Sequence, residues 1–257
     1  MNRVLLAAAC AAASLAAPAD GQVAGGAATE VPLRVHDGRL YVPVRTAAGA
    51  ELDFVLSTGT GVTVLSETTA RKLGEGAALT LGGQSVPLDG SQTLPDASLV
   101  TAGKAFAGMI GANTLNRFDL LIDVPGGKLF LRSPGPSVQW SGVRLSEPVR
   151  LQVYHGIALG LEVELNGTKY GALLDLGTAA VLANARAVAD AKLSAGPATL
   201  RIGETTFTDV SIAETDHPVV RRFAGDDTGF VLVGAHIALD CVLSLSWVHR
   251  ELRTCVK

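Results

Sequence analysis

The feature that most restricts the fold of this sequence is an internal repeat. At an offset of 118 residues, segment 31–64 matches segment 149–182 without a gap. The matched pairs are Val31 and Val149, Leu33 and Leu151, Val35 and Val153, Gly38 and Gly156, Gly49 and Gly167, Leu56 and Leu174, Gly59 and Gly177, and Thr60 and Thr178. Apolar residues recur where strands face a core, and glycines recur where turns need positive φ. The repeat therefore predicts two copies of one structural unit.

Further elements follow in the same order in both copies. They are N-cap residues at Ser66 and Asn184 with short helices at 67–73 and 185–193, glycine-turn hairpins at 79–83 and 200–204, apolar-apolar-glycine segments at 109–111 and 232–234, and strand-like endings at 119–132 and 241–256. Short alternating segments between glycine turns are typical of strands. The sequence thus predicts an all-β fold with minor helix, built as two similar lobes.

The start of the chain reads as an export signal. Residues 1–19 combine Arg3, an apolar run and the small-residue site Ala17-Pro18-Ala19, which is the pattern of a cleaved signal peptide. We therefore expect a periplasmic or secreted protein. The expected segments are a signal peptide at 1–19, a flexible leader at 20–30, a first lobe at 31–132, a linker at 133–148 and a second lobe at 149–257.

Charge and hydropathy argue against several classes of partner. Without residues 1–19 the chain has 20 basic and 24 acidic side chains, and it has no basic run that would attract nucleic acid or anionic lipid. No later apolar stretch reaches the length of about 20 residues that a membrane helix needs. No spacing of metal ligands and no cofactor motif stands out. We expect a monomer without metal or cofactor.

In each copy an apolar run ends in a polar residue and a glycine turn. The first reads Phe-Val-Leu-Ser-Thr-Gly-Thr at 54–60, and the second reads Ala-Leu-Leu-Asp-Leu-Gly-Thr at 172–178. Together with the apolar-apolar-glycine segments, these loops resemble those of the pepsin/retropepsin-like aspartic peptidases, in particular a two-lobed bacterial relative. The resemblance implies acid-protease β-barrel lobes related by a pseudo-twofold axis through the two loops. It also implies a cleft between them that binds an extended peptide.

The resemblance further implies the positions of the active site. The catalytic positions are Ser57 and Asp175, and the flanking loop residues are Thr58, Gly59, Thr60, Leu176, Gly177 and Thr178. The family's reaction uses two carboxylates that share one proton, and a hydroxyl residue after each aspartate bonds to the opposite loop.

This chain departs from that pattern twice. Ser57 replaces the first aspartate and Leu176 replaces the second hydroxyl residue. A serine hydroxyl can donate a hydrogen bond to Asp175 but cannot carry the charge of a carboxylate. Loss of one general acid or base lowers the rate by about 10²–10⁴. The sequence therefore predicts a degenerate catalytic site.

Three functions remain open from the sequence. The favoured one is a peptide-binding homologue with impaired proteolysis. The alternatives are an active endopeptidase that relies on Asp175, including a pair of chains that each supply this residue, and a scaffold whose cleft has no role. A serine hydrolase is disfavoured, because Ser57 lacks a Gly-x-Ser-x-Gly elbow. In addition, no histidine is singled out as its base by spacing; the histidines are His36, His155, His217, His236 and His249.

Two further features each have two interpretations. The hairpin Leu81-Gly82-Gly83-Gln84 is interpreted as a substrate-binding flap rather than an exposed turn. It lacks the tyrosine of pepsin-type flaps and is closer to the glycine-rich retropepsin flap. Cys241 and Cys255 remain after removal of the signal peptide, and in an exported protein they form either a disulfide or two separate thiols.

Overall fold

The computed structural model describes residues 27–74, 76–155, 157–193, 197–224 and 227–256. The predicted signal peptide and most of the predicted leader lie outside the described residues. The fold is two-lobed and mostly β.

The strands, in chain order, are β1 (Thr29–Pro32), β2 (Arg34–His36), β3 (Arg39–Thr46), β4 (Glu51–Leu56), β5 (Val64–Ser66), β6 (Leu79–Leu81), β7 (Gln84–Val86), β8 (Gln92–Leu94), β9 (Val100–Thr101), β10 (Lys104–Ala105), β11 (Gly108–Ile110), β12 (Asp119–Asp123), β13 (Lys128–Arg132), β14 (Val149–Arg150), β15 (Gln152–Tyr154), β16 (Ala158–Leu165), β17 (Thr168–Leu174), β18 (Val181–Ala183), β19 (Ala198–Ile202), β20 (Thr205–Val210), β21 (Ile212–Glu214), β22 (Phe230–Val233), β23 (Leu243–Ser246) and β24 (Glu251–Arg253). The α-helices are α1 (Glu67–Leu73), α2 (Ala112–Leu115), α3 (Ala185–Asp190) and α4 (Pro218–Ala224), with 3₁₀ turns at Asp96–Ser98 and Ala235–Ala238.

Each lobe contains one large sheet, and the two sheets have the same strand order. Over the described residues the order is β7-β6-β3-β4-β11-β5-β8 in the first lobe and β20-β19-β16-β17-β22-β18-β21 in the second. β2 joins β3, and β15 joins β16. In both sheets the strand that leads into the candidate loop pairs in parallel with the strand of the apolar-apolar-glycine segment. Residues that match across the repeat therefore lie in matching strands.

A third sheet connects the lobes. Its strand order is β1-β13-β12-β23-β24-β14, and all its pairs are antiparallel. The lobes meet where β12 pairs with β23, with Leu120 opposite Leu245. β1 begins at Thr29, two residues inside the segment predicted as leader, because it pairs with β13. The largest buried apolar cluster includes Leu40, Leu120 and Leu159, so a single core runs from one lobe through this sheet to the other.

Local capping explains where the short helices begin. Ser66 Oγ accepts a hydrogen bond from Thr69 N at 3.0 Å, and Asn184 Oδ1 accepts one from Ala187 N at 3.0 Å, as expected of N-caps. The second of these helices ends at Asp190 rather than at the predicted position 193, because the chain turns at Lys192 with a φ of +50°. In the described part of the chain, no helix has the length and apolarity needed to cross a membrane.

The two cysteines of the second lobe are bonded to each other. The sulfur atoms of Cys241 and Cys255 lie 2.14 Å apart. The bond joins a residue shortly before β23 to one shortly after β24, so it links the two ends of the final hairpin. Of the two interpretations that the sequence left open, the structure has the disulfide.

Candidate active site

Each candidate loop is held by the parallel strand beside it. Ser57 N donates to Ile110 O at 3.0 Å, and Asp175 N donates to Val233 O at 2.9 Å. The two bonds are equivalent in the two lobes. They place positions 57 and 175 at the same point of their sheets, facing each other across the interface between the lobes.

A glycine follows each of the parallel strands β11 and β22, and it is required there for steric reasons. A Cβ atom on Gly111 would lie 2.3 Å from Val62 O, and one on Gly234 would lie 2.1 Å from Ala180 O. No Cβ atom can approach a backbone oxygen so closely, so any other residue would push the candidate loop aside. The apolar-apolar-glycine pattern therefore reflects how tightly each loop is threaded past its neighbouring strand.

The carboxylate of Asp175 lies at the centre of the site. Its Oδ1 accepts hydrogen bonds from Ser57 Oγ at 3.3 Å, Gly59 N at 3.1 Å and Gly177 N at 2.9 Å. Its Oδ2 accepts one bond, from Thr178 Oγ1 at 3.0 Å. A carboxylate offers about four lone-pair directions in total. Oδ1 is thus saturated, while Oδ2 can accept a further bond from a water or from an N–H group of a ligand.

Ser57 occupies the position opposite Asp175 and is buried. Its hydroxyl lies 2.8 Å from Thr60 Oγ1, which matches the contact between Thr178 and Asp175. Only 1% of Ser57 is exposed, and its hydrogen bonds go to Thr60 and Asp175 rather than to a histidine. A nucleophilic serine needs access to substrate and a base within reach. The geometry of Ser57 provides neither, and its hydroxyl serves to bind the Asp175 carboxylate.

Thr58 joins the two loops. Its hydroxyl donates to Leu174 O at 2.9 Å and accepts from Leu176 N at 3.0 Å. The equivalent position in the second lobe is Leu176, whose side chain is fully buried in the core and has no hydroxyl to offer. The cross-loop contact expected from the resemblance is therefore present in one direction alone.

Arg39 makes a second contact between the lobes that sequence reasoning missed. Its Nε donates to Gly177 O at 3.3 Å, and its Nη1 donates to Thr101 Oγ1 on β9. The residue at the same position in the second copy is Ile157, so the repeat gave no reason to single out a charged group here. Arg39 ties the β9–β10 hairpin of the first lobe to the candidate loop of the second.

The hairpin interpreted as a flap does not lie over the candidate site, as a substrate-binding flap would. It forms as β6 and β7, with positive φ at both Gly82 and Gly83. However, Leu81 is fully buried and pairs with Val44, toward the end of β3 that is distant from the loop of Ser57. A Cβ atom on Gly82 would meet side chains of β1 at 2.6 Å and 2.8 Å. The turn thus packs against the connecting sheet, and neither it nor Gln84 borders Asp175.

A small cavity opens beside the Asp175 carboxylate on the side of the second lobe. Its volume is about 190 Å³. It is lined by Gly59, Tyr154, His155, Ile157, Ala158, Leu159, Leu173, Leu174, Asp175, His217, Val219, Arg222, Phe223 and Leu232. Of this lining, the sequence singled out Gly59 and Asp175, which belong to the two candidate loops. His217 and Arg222 lie where the two copies differ, so no pattern pointed to them.

Asp123 has a local role in the turn between β12 and β13. Its side chain accepts a hydrogen bond from Gly126 N at 2.8 Å. Among the residues that are described, no group of three or more His, Cys, Asp or Glu side chains is arranged to hold a metal ion.

Comparison with known proteins identifies the fold. No family model and no curated protein matches this sequence. Among solved structures, the crystal structure of aspartic proteinase from Irpex lacteus is similar, with a TM-score of 0.57 and 13% sequence identity. The match covers 90% of this chain and 98% of that chain. At this identity the similarity shows the fold, which is pepsin-like.

Proposed function

We propose that this chain is an exported peptide-binding protein of the pepsin-like fold in which proteolysis is impaired. The observation that carries the proposal is the pair formed by Ser57 and Asp175. A buried serine hydroxyl lies 3.3 Å from the Asp175 carboxylate, at the position where the aspartic-peptidase reaction needs a second carboxylate. The fold similarity to an aspartic proteinase supports the peptide-binding part, and the predicted signal peptide supports export.

The chemistry of the site favours impairment over altered catalysis. Asp175 can accept a proton from water through Oδ2, but its partners at this site are hydroxyl groups and backbone N–H groups. None of these groups is acidic enough to protonate a peptide carbonyl oxygen as a carboxylic acid does. The proton shared by two carboxylates, which gives such a pair its acid and base functions, has no second carboxylate here.

The same atoms retain the capacity to bind a peptide. The free acceptor direction of Asp175 Oδ2 can take a backbone N–H group, and the adjoining cavity presents apolar side chains next to it. An extended segment between the lobes would thereby satisfy one of its amides and bury an apolar residue. Binding would not depend on a second carboxylate.

The test combines cleavage and binding assays on the purified protein. Denatured protein substrates are incubated from about pH 3 to 7, which spans carboxylate titration, with and without a transition-state-like aspartic-peptidase inhibitor. We expect no inhibitor-sensitive cleavage, and we expect peptides from a library to raise the melting temperature, because a ligand of the native state stabilises it.

Asp175→Asn and a matched control distinguish the alternatives. Asp209 is exposed and has a φ of +57°, which asparagine tolerates, so Asp209→Asn changes a charge away from the site. Inhibitor-sensitive cleavage that is lost in Asp175→Asn and kept in Asp209→Asn would establish an active endopeptidase and overturn the proposal. The absence of both cleavage and peptide-induced stabilisation would indicate a scaffold.

A further inference from the structure

The two lobes cover equivalent faces of their sheets with different elements. In the first lobe, the cluster of Tyr41, Val55, Leu99 and Phe106 is closed by residues from the segment that contains β9 and β10. In the second lobe the equivalent cluster includes Leu173 and Leu232, and it is closed by α4 through Val220, Phe223 and Ala224. The repeat aligns Val55 with Leu173, so the same strand position is covered by a hairpin in one lobe and by a helix in the other.

The strand register places different residues against these two faces. Tyr41 is almost fully buried, and its ring packs against Phe106 with centroids 6.0 Å apart. Tyr41 lies opposite Val55 in the first lobe, whereas Gly160 lies opposite Leu173 in the second. A Cβ atom on Gly160 would lie 2.3 Å from the ring of Tyr154. The Tyr154 ring therefore lies over this position in the second lobe, and it forms part of the wall of the cavity beside Asp175.

The size and rim of the cavity indicate what fits. At about 190 Å³ it is smaller than the range of about 300–1,000 Å³ that is typical of sites for drug-sized molecules, so it suits one side chain. Tyr154 and Val219 line the cavity and are 38% and 37% exposed, so they lie at its mouth. The Tyr154 ring lies 5.4 Å from that of Phe223, which forms an aromatic wall.

Arg222 supplies a positive charge at the same cavity. It is exposed, and within the described part of the chain no ion pair or hydrogen bond engages its guanidinium group. The adjacent Arg221 is paired with Asp216 at 2.8 Å. His217 Nδ1 accepts a bond from Val219 N at 3.3 Å, so the Nε2 of a neutral His217 carries its proton as a donor.

We propose that this cavity, which we name the α4 pocket, binds an apolar side chain of a peptide while Arg222 binds a carboxylate next to that residue. This assignment rests on the peptide binding proposed above and specifies its chemistry. A backbone N–H group of the peptide donates to Asp175 Oδ2, and the apolar side chain fills the space lined by Leu159 and Phe223. The carboxylate is either a free C-terminus or an aspartate or glutamate side chain, since both present the same acceptor to a guanidinium group.

Fluorescence-polarisation titration with labelled peptides tests the assignment. The probes are fluorescein-Gly-Ala-Ala-Leu with a free C-terminus, the same peptide as its C-terminal amide, fluorescein-Gly-Ala-Leu-Asp-Ala-amide, and versions of each with alanine in place of leucine. We expect at least one carboxylate-bearing leucine peptide to bind more tightly than the amide. We also expect the change from leucine to alanine to weaken binding by about tenfold, because most of an apolar side chain is removed. The tighter of the two carboxylate peptides identifies the source of the charge.

Two arginine variants isolate the contribution of the charge. In Arg222→Gln, the carboxylate peptide should bind about three- to tenfold more weakly, and the amide peptide should be unaffected, because an exposed charge pair contributes modestly. Arg221→Gln is the matched control, since it removes the neighbouring charge of the same helix and should change each affinity by less than about twofold. An equal loss for both peptides in Arg222→Gln, or no loss for either, overturns the assignment.

Val219→Trp provides a separate test of the pocket itself. This exposed position lies at the mouth, so a larger side chain should block entry without disturbing the core, as checked by an unchanged melting temperature. The preference for leucine over alanine should then disappear, and its survival overturns the α4 pocket as the binding site. If peptides bind and neither Arg222→Gln nor Val219→Trp changes their affinities, this inference is overturned but the proposed function stands. If no peptide binds and no library peptide raises the melting temperature, the proposed function fails too.

Discussion

The hydroxyl of Thr58 in the first lobe accepts a hydrogen bond from Leu176 N of the second lobe at 3.0 Å. The same hydroxyl donates to Leu174 O at 2.9 Å. Both partners are backbone groups in the interior, where an unpaired polar group is costly. Because Leu176 has no hydroxyl to return the contact, one threonine carries the side-chain link that two would carry in a symmetric site.

We expect Thr58→Val to destabilise the protein. The substitution keeps the shape of the side chain and leaves Leu176 N and Leu174 O without their partner. The free energy of unfolding should fall by about 1–3 kcal/mol, as measured by urea denaturation. Thr206→Val is the control, because Thr206 is exposed on β20, and its effect should stay within about 0.5 kcal/mol. Equal effects of the two variants would contradict the role of the cross-loop hydroxyl.

Gly59 is expected to be intolerant of any side chain. A Cβ atom there would lie 2.3 Å from the Cγ atom of Asp175 and 2.6 Å from both of its carboxylate oxygens. Gly59→Ala must therefore displace the carboxylate or spread the lobes, and it should lower the free energy of unfolding by about 1–3 kcal/mol. Gly135→Ala is the control, because nothing lies within 4 Å of the added atom and its φ is not positive. Chemical denaturation that ranks Gly135→Ala as equally harmful would refute this explanation.

The sequence predicted the lobes and the pairing of their loops because the repeat carried the signals that determine them. Glycines at threaded loops, such as Gly111 and Gly234, have a local steric cause that recurs in both copies. The caps of Ser66 and Asn184 are likewise local. Such features can be recognised from a single sequence, because each depends on a few neighbouring residues.

What the sequence could not predict depends on contacts between distant segments or on differences between the copies. The flap interpretation of Gly82 followed from the order of elements, whereas the direction of the hairpin is determined by packing against Thr29 and Val31. Arg39 and Arg222 have no counterpart in the other copy. Their positions depend on how each lobe covers its sheet. Comparison of the two copies cannot reveal residues that occur in one copy alone.

The disulfide of the final hairpin should contribute measurably to stability. Cys241 and Cys255 are separated by 14 residues in sequence. A disulfide that closes a loop of this length stabilises the folded state by about 3 kcal/mol, because it lowers the conformational entropy of the unfolded chain. The double variant Cys241→Ala with Cys255→Ala should lose about that much in urea denaturation. Wild-type protein in reducing agent should lose a similar amount, and the double variant should be insensitive to the reductant. Free thiols detected by labelling of the unreduced wild type would contradict the bond.

Ser57→Asp restores the second carboxylate in a site that already has donors for it. Thr60 Oγ1 lies 2.8 Å from the Ser57 hydroxyl, in the place that Thr178 has beside Asp175. If the loss of a carboxylate alone impairs proteolysis, this variant should gain inhibitor-sensitive cleavage of denatured substrates at acidic pH. Ser57→Asn is the control of nearly equal size without the charge, and it should stay inactive.

The same pair of variants gives a pH-dependent signature that does not need a substrate. In Ser57→Asp, the new carboxylate at position 57 lies next to that of Asp175. Their mutual repulsion raises the folded-state pKa of one of them above its unfolded value of about 4. Between those values the folded state of Ser57→Asp binds more protons than the unfolded state, so its free energy of unfolding falls as pH rises. Compared with Ser57→Asn, the variant should lose about 1–3 kcal/mol between pH 4 and pH 7, since each unit of pKa is worth about 1.4 kcal/mol. If the difference in free energy of unfolding between the two variants stays constant over this pH range, the two carboxylates do not interact. That result would contradict the pairing of positions 57 and 175 as a carboxylate site.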